Sequence, residues 1–596
     1  MTPSPGGGRA QRLGAIAPAL VLFVVGVVVP VLVARHYSAL GAPRGDDWSY
    51  LRTLFTWVDT GELNFNNWVS MTLLGQLVVA APVVWLFGRD IAVVQTLVAL
   101  GGFLGLLSVL GWGKYLDGRR TTGLGLALVV ASGPMYGTLA VSFMTDVPGV
   151  AASCAAVLCG LYAASAPNRL ARGLLGAFAF GLFGFTIRQY CVVPVVAVTV
   201  VACLLARTEG DRGFQRKALL GAASIVGLAV LFLVGWSAVP DAKALSPKWP
   251  DGHAVRALVY EGGGMLRLAG LWLAPVLVWA GPSAIVRRAW RASSWITVIA
   301  AGSCALVLAF TGRNAPRIAF AGNYFVPDGI LSNGVSAGPR PDLVPSPWWG
   351  VLILVGTVGA VVLAIAMVPV TVACWKRLRS RDLSLRDPVT VLLALTSFGY
   401  AATYALAALV GLPLYDRYVL PIIPLAGASL IRAAHLERVA GNADATPPRQ
   451  MSWRPAVAVL VITSALGMLY TVDSASFDGV RWGVASDATR AGWHPKQVGG
   501  NFEWINYFSA SPGSLARRRA RICVVVVLRE NGQGPMTAAP PITDIAGTEI
   551  RGTYRPPFRD PVDVVAVRNR RPCWPGLVPV EPVLGGDEAA AAVIGR

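Results

Sequence analysis

Charge is scarce in this chain. Asp, Glu, Lys and Arg make up only 14% of its 596 residues, against 55% hydrophobic residues and a mean hydropathy of +0.58. A soluble chain of this length does not need so much apolar sequence to close its cores, so the composition excludes an ordinary globular protein and leaves a polytopic membrane protein. Acidic residues are the rarer sign, 31 against 51 basic ones. The net charge of +20 does not imply nucleic acid, because the Lys and Arg residues mostly stand in short clusters between apolar runs, as the positive-inside bias produces. Histidine is nearly absent: His36, His253, His435 and His494 are scattered and make no metal site. There is no CxxC with a partnering histidine spacing, which excludes a structural zinc site. Cys154, Cys159, Cys191, Cys203, Cys304 and Cys374 lie in or beside apolar runs and read as small core residues. No Gly-rich nucleotide-binding loop is visible.

What is present is a succession of long apolar runs. Residues 1–12 form a Gly/Pro-rich tail with Arg9 and Arg12, expected in the cytoplasm, and the run from Leu13 to Ala34 is long enough for a first span. Segments 70–88 and 91–112 follow almost in tandem, separated by Arg89-Asp90. If both crossed, every later loop would change side and the basic bias would reverse. The 70–88 segment, with Thr72, Gln76 and Pro82, is therefore expected to lie along the outer interface within one long first loop, 35–90. Thirteen spans are then expected, at about 13–34, 91–112, 122–141, 147–165, 171–187, 191–206, 217–238, 264–286, 295–312, 348–374, 388–411, 417–434 and 455–471. An odd number places residues 472–596 outside. Runs such as 522–528 and 562–567 predict strands there, hence a small α/β domain. Cys523 and Cys573 are its two cysteines; an oxidising exterior permits a disulfide between them, and two unpaired core thiols are an equal reading.

This topology gathers polar residues on the outer face. Gly45-Asp46-Asp47-Trp48-Ser49-Tyr50 follows the first span, and two adjacent carboxylates there must stay in water, meet cations or do chemistry. Asp146 stands at the mouth of the fourth span, Arg188 between two short apolar runs, and Tyr415-Asp416-Arg417-Tyr418 opens the twelfth. Each has a plainer reading: Asp46-Asp47 as a solvated loop, Asp146 as a helix N-cap, Arg188 as an interfacial side chain, Arg417 as the partner of Asp416, Trp48 and Tyr50 as belt aromatics. Convergence on one face favours function. Guanidinium groups match phosphate oxygens bidentately. The outer loops 239–263 and 313–347 are expected to shape a pocket on this face.

These residues resemble the GT-C superfamily of membrane glycosyltransferases, which includes the protein O-mannosyltransferases of glycosyltransferase family 39 and the lipid A aminoarabinose transferases. The acidic pair Asp46-Asp47, the interfacial 70–88 segment, Asp146, and Arg417-Tyr418-Val419-Leu420-Pro421 with Pro424 match the family's layout over most of residues 13–435. The acidic pair is Asp-Asp where the mannosyltransferases usually carry Asp-Glu, and their His-Pro-Pro-Leu-like helix start is absent. The resemblance implies a GT-C-like bundle that moves a sugar from a polyprenyl-phosphate donor to a hydroxyl of a protein, lipid or cell-wall glycan, by an inverting single displacement on the outer face. It implies Asp46 as general base with Asp47 as its alternate, Asp146 orienting the acceptor, and Arg417, Arg188 and Tyr418 on the donor phosphate. A divalent cation (Mg, Mn or Ca) between Asp46 or Asp47 and Asp146 is an open option, and no nucleotide cofactor is expected. Arginine-heavy usage with Ala, Gly and Val richness points to a GC-rich bacterium, hence a plasma-membrane location. Two other classes stay in view. A transporter or flippase of lipid-linked sugars would usually carry ionisable groups near the midplane, yet the expected span interiors contain no Asp or Glu. A non-catalytic polytopic scaffold presenting the outer domain is the other.

Overall fold

The computed structural model describes residues 16–243, 249–330, 340–380, 387–441, 453–508, 522–529, 541–544 and 546–568. The 1–12 tail with Arg9 and Arg12, Lys248, residues 381–386 and Cys573 lie outside the described residues. Ten of the described helices are long and apolar enough to cross a membrane, and a bent pair, Gly252–Trp272 with Ala274–Ala280, makes up to eleven. The chain is an integral multi-pass membrane protein.

Three of the thirteen expected spans differ from simple long helices. The 122–141 run breaks after Arg120–Ala131, because Pro134 has no amide to donate and the Trp272 ring packs against Gly133 so closely that a Cβ there would lie 1.5 Å from it. The 264–286 run turns by 60° ahead of Pro275. The 171–187 run ends as the 16-residue helix Leu170–Phe185; the Phe185 carbonyl accepts from the Thr72 hydroxyl at 2.6 Å, and the Thr186 and Ile187 carbonyls accept from the Gly75 and Leu73 amides.

Those last bonds also place the tandem segment. Leu74–Phe87 is a 14-residue helix, about 21 Å long against a hydrocarbon core of roughly 30 Å. Its first turn is tied to residues 185–187, and just beyond its last turn Arg89 pairs with Asp59, so both ends lie at the same end of the bundle. Trp85, Leu86 and Phe87 are exposed, as a helix lying in an interface requires.

The remaining helices bring their ends together there. The longest, Trp453–Arg490, spans 38 residues and runs without a break from the bundle into the C-terminal sheet. Close packing against the turn before the acidic pair needs a glycine: a Cβ on Gly479 would lie 1.7 Å from the Tyr37 carbonyl oxygen. The sheet is mixed and four-stranded, with β1 (Val498–Gly499), β2 (Val524–Arg529), β3 (Arg551–Tyr554) and β4 (Val562–Arg568) in the order β1-β2-β4-β3. β1 pairs parallel with β2, and β4 pairs antiparallel with both β2 and β3. The inward residues Val524, Val526, Val564 and Ala566 pack on Phe477, Val484, Ala485 and Trp504, which fastens the sheet to the long helix. Cys523 is disulfide-bonded.

Candidate active site

The acidic pair divides. Asp47, the first residue of the helix Asp47–Thr60, is fully buried; one carboxylate oxygen accepts from the Arg44 amide at 2.5 Å and the other from the Phe143 amide at 3.1 Å. Burial pushes its carboxyl well above the usual carboxylate range, opposed by those two amides. Asp47 thus staples the first loop to the segment that precedes Asp146. Asp46 keeps a quarter of its side chain exposed. Its Oδ1 accepts from the Trp68 indole N–H at 2.9 Å and its Oδ2 lies 3.4 Å from Arg417 Nη2.

Around Asp46 the long-range residues assemble. Asp146 begins the helix Asp146–Ala164, but no side-chain cap bond is made there; its Oδ2 pairs with Arg188 Nη2 at 2.9 Å and its Oδ1 faces Arg417 Nε at 3.8 Å. Arg188 also donates to the Thr145 hydroxyl at 2.8 Å. Burial alone would lower the Arg188 pKa, but Asp146, with Tyr190 and Tyr418, drives it above its ordinary value. Arg188 and Arg417 are both nearly fully buried, which is tolerable only because carboxylates and ring faces surround them. Arg188 lies over the Tyr190 and Tyr418 rings, and Arg417 over those of Tyr324, Tyr415 and Tyr418, at 5.0 to 5.9 Å. Tyr418 itself stacks on Tyr404 at 5.6 Å. Two buried donors at this place, Arg417 Nε and the Tyr404 hydroxyl, have no hydrogen-bond partner.

Asp416 does not neutralise Arg417. Its Oδ2 accepts from the amides of Asn323, Tyr324 and Phe325 at 3.0, 2.6 and 2.6 Å, and its Oδ1 from the Arg417 amide at 2.8 Å. It therefore holds residues 323–325 in place and delivers the Tyr324 ring to Arg417. Arg267 ties the start of the 313–347 loop to the preceding helix Ser294–Asn314, donating to the carbonyls of Ala319 and Leu308.

The structure brings together Asp46, Asp146, Arg188, Arg417 and Tyr418, and sets Asp47 behind them. Trp68, Tyr404 and Arg267 escaped the sequence reading, which had named Tyr324 only as part of the 313–347 loop; Trp68 had one available signal, an aromatic directly after the Asn-rich turn Asn64–Asn67. A cation held between Asp47 and Asp146 does not fit this donor set: both Asp47 oxygens are taken by backbone amides and both Asp146 oxygens face guanidinium groups. Among the described residues no group of three or more His, Cys, Asp or Glu gathers that would hold a metal.

No family model and no curated protein matches the chain. Several solved structures are similar to it, three of which follow. ArnT from Cupriavidus metallidurans bound to undecaprenyl phosphate aligns over 94% of this chain and 98% of its own, at 12% identity and a TM-score of 0.42. The same protein in the apo state aligns over the same shares at 14% identity and 0.42. The archaeal oligosaccharyltransferase AglB from Archaeoglobus fulgidus, in complex with an inhibitory peptide and a dolichol-phosphate, aligns over 84% of this chain and 60% of its own, at 12% identity and 0.39.

Within this chain the chemistry is set by an asymmetry. One carboxylate is open to solvent, one is spent on orienting two guanidinium groups, and one is a backbone staple. Arg417 Nε remains a buried donor without a hydrogen-bond partner beside them.

Proposed function

We propose that this chain is a membrane glycosyltransferase that moves a sugar from a polyprenyl-phosphate donor to an acceptor hydroxyl by a single inverting displacement. The observation that carries the reading is the pairing of a partly exposed carboxylate, Asp46, with the buried Arg417–Asp146–Arg188 cluster and its unpartnered donors. Asp46 accepts the proton of the acceptor hydroxyl as its oxygen attacks the anomeric carbon, and the bond from that carbon to the phosphate oxygen breaks with its electron pair. Arg417 and Arg188 stabilise the charge arriving on the departing phosphate, held in place by Asp146 before the reaction begins, with Tyr418 walling the phosphate site. The two arginines supply the positive charge for which a divalent cation was the sequence-based option. A lipid-linked donor reaches a site at the ends of the spans without leaving the membrane. The acceptor, a protein, lipid or cell-wall glycan, approaches from the extracytoplasmic side of a bacterial plasma membrane.

The test is transfer of radiolabelled sugar by the purified full chain from a panel of polyprenyl-phosphate sugars, beside Asp46→Asn. Product or donor hydrolysis from the wild type only supports the reading. Movement of the same lipids across vesicles without turnover replaces it by a transporter.

A further inference from the structure

The C-terminal sheet is not remote from Asp46. Trp68, whose indole N–H donates to Asp46 Oδ1 at 2.9 Å, stands on a turn built from Asn66 and Asn67, both in the left-handed region. Asn66 locks that turn to the Asp47–Thr60 helix: its carboxamide donates to the Ser49 carbonyl at 3.0 Å and accepts from the Ser49 hydroxyl at 2.9 Å. The indole ring itself is gripped from three sides. Phe502 lies 5.4 Å from it, Trp48 lies 5.8 Å from it, and Lys243 Nζ stands 4.9 Å over its face. Phe502 begins the short helix Phe502–Phe508, which belongs to the C-terminal unit through Trp504. That helix makes two further contacts, one to the acidic loop and one to the helix behind it: the Gly45 amide donates to Glu503 Oε1 at 3.3 Å, and Arg52 Nη1 of the Asp47–Thr60 helix donates to the Asn506 carbonyl at 2.9 Å.

The geometry points to Trp68 as a positioning residue for Asp46, with Phe502 of the C-terminal unit as the residue that holds Trp68 in register. Trp68 fixes which carboxylate oxygen is occupied, so that the other is presented beside Arg417. Aromatic contacts at these separations are directional and hold a ring in one orientation. A base displaced by a fraction of an ångström loses its advantage. The C-terminal unit is then part of the transfer site, and its contribution reaches the chemistry through one indole N–H. This rests on the glycosyl-transfer reading for its consequence, but the contact chain is tested separately.

Trp68→Phe keeps the ring stack and removes the N–H; Phe502→Leu keeps bulk and removes the aromatic edge. With a polyprenyl-phosphate sugar that the wild-type full chain turns over, Trp68→Phe is expected to lower kcat about tenfold, the effect of one hydrogen bond to a charged group. KM for the donor stays within about twofold, because the arginines are untouched. The Trp68→Phe/Phe502→Leu double variant falls no further than Trp68→Phe alone, since both act through the same N–H. A kcat within about twofold of wild type in Trp68→Phe, or fully additive losses, overturns the proposal. Fluorine NMR of 5-fluorotryptophan-labelled full chain supplies the second readout, with the Trp68 resonance identified by its loss in Trp68→Phe. That resonance is expected to move in both Asp46→Asn and Phe502→Leu. If it moves in neither, the positioning chain is absent whatever the reaction. If it moves while no donor turns over, the chain stands and the glycosyl-transfer reading fails.

Discussion

Glu503 offers a perturbation whose size follows from its surroundings. It is buried at the join between the C-terminal unit and the acidic loop, accepts from the Gly45 amide through Oε1, and has Arg481 Nη2 at 3.9 Å from Oε2, which makes no hydrogen bond. Burial pushes its carboxyl up to about 7 from 4.5, against the attraction of Arg481 and with repulsion from Asp478. A carboxyl with a raised native value binds its proton more tightly in the folded state, so stability contributed by this group is present below pH 4.5 and is lost as pH rises through 7. At about 1.4 kcal/mol per pH unit between the two values, the loss approaches ~3 kcal/mol. Glu503→Gln keeps an oxygen for the Gly45 amide and cannot ionise. The assay is thermal unfolding in detergent between pH 4.5 and 8: the wild type is expected to lose more stability across this window than Glu503→Gln, and the difference is expected to level off above 7. Parallel curves for the two proteins would refute the assignment of this proton to Glu503.

The split of the acidic pair predicts opposite phenotypes. Asp46→Asn should lose about a hundredfold or more in turnover, the scale of a general base, with an unchanged melting temperature. Asp47→Ala leaves two buried amides without acceptors and should cost about 2–4 kcal/mol, read as a lower melting temperature. Arg417→Ala removes the guanidinium between Asp46 and Asp146 and should weaken binding of a polyprenyl phosphate about tenfold or more, measured by titration with the lipid. Gly479→Ala forces a Cβ onto the Tyr37 carbonyl and should lower stability by about 2 kcal/mol or more, seen in the same melting assay.

Much of the layout was legible because membrane insertion writes itself into composition. Apolar length marked the ten long helices, and the basic bias kept 70–88 from being taken as a crossing, so Asp46 and Asp146 fell on one face. The breaks were harder to see. The end of Leu170–Phe185 depends on Thr72, more than a hundred positions away, and leaves no local pattern; the break after Ala131 has a local mark in Gly133-Pro134, but the Trp272 ring that packs on it does not. The same holds for the site. Asp46, Asp146, Arg188 and Arg417 stood out because charge is rare beside apolar runs. Trp68 and Tyr404 did not, because aromatics near span ends are expected at any interface. Nor does adjacency in the chain separate Asp46 from Asp47. Successive residues at the start of a helix point about 100° apart, and the Arg44 amide together with the Phe143 amide, 96 positions on, decides which one is consumed by the backbone.

The helix Trp453–Arg490 has a bearing on how this protein can be taken apart. About 57 Å long at 1.5 Å per residue, it is at once a membrane crossing and one wall of the C-terminal unit, and Asp473, Ala475, Ser476 and Phe477 are buried along it. No linker intervenes at which one piece can swivel against the other. A cut at residue 471 would open a continuous helix in its buried stretch and strip the bundle of Ala475, which packs in one cluster with Val141 and Tyr37. Modularity, usual where a soluble unit follows a membrane unit, is lost here: exchange of the outer part between related chains would have to carry the whole rod with it.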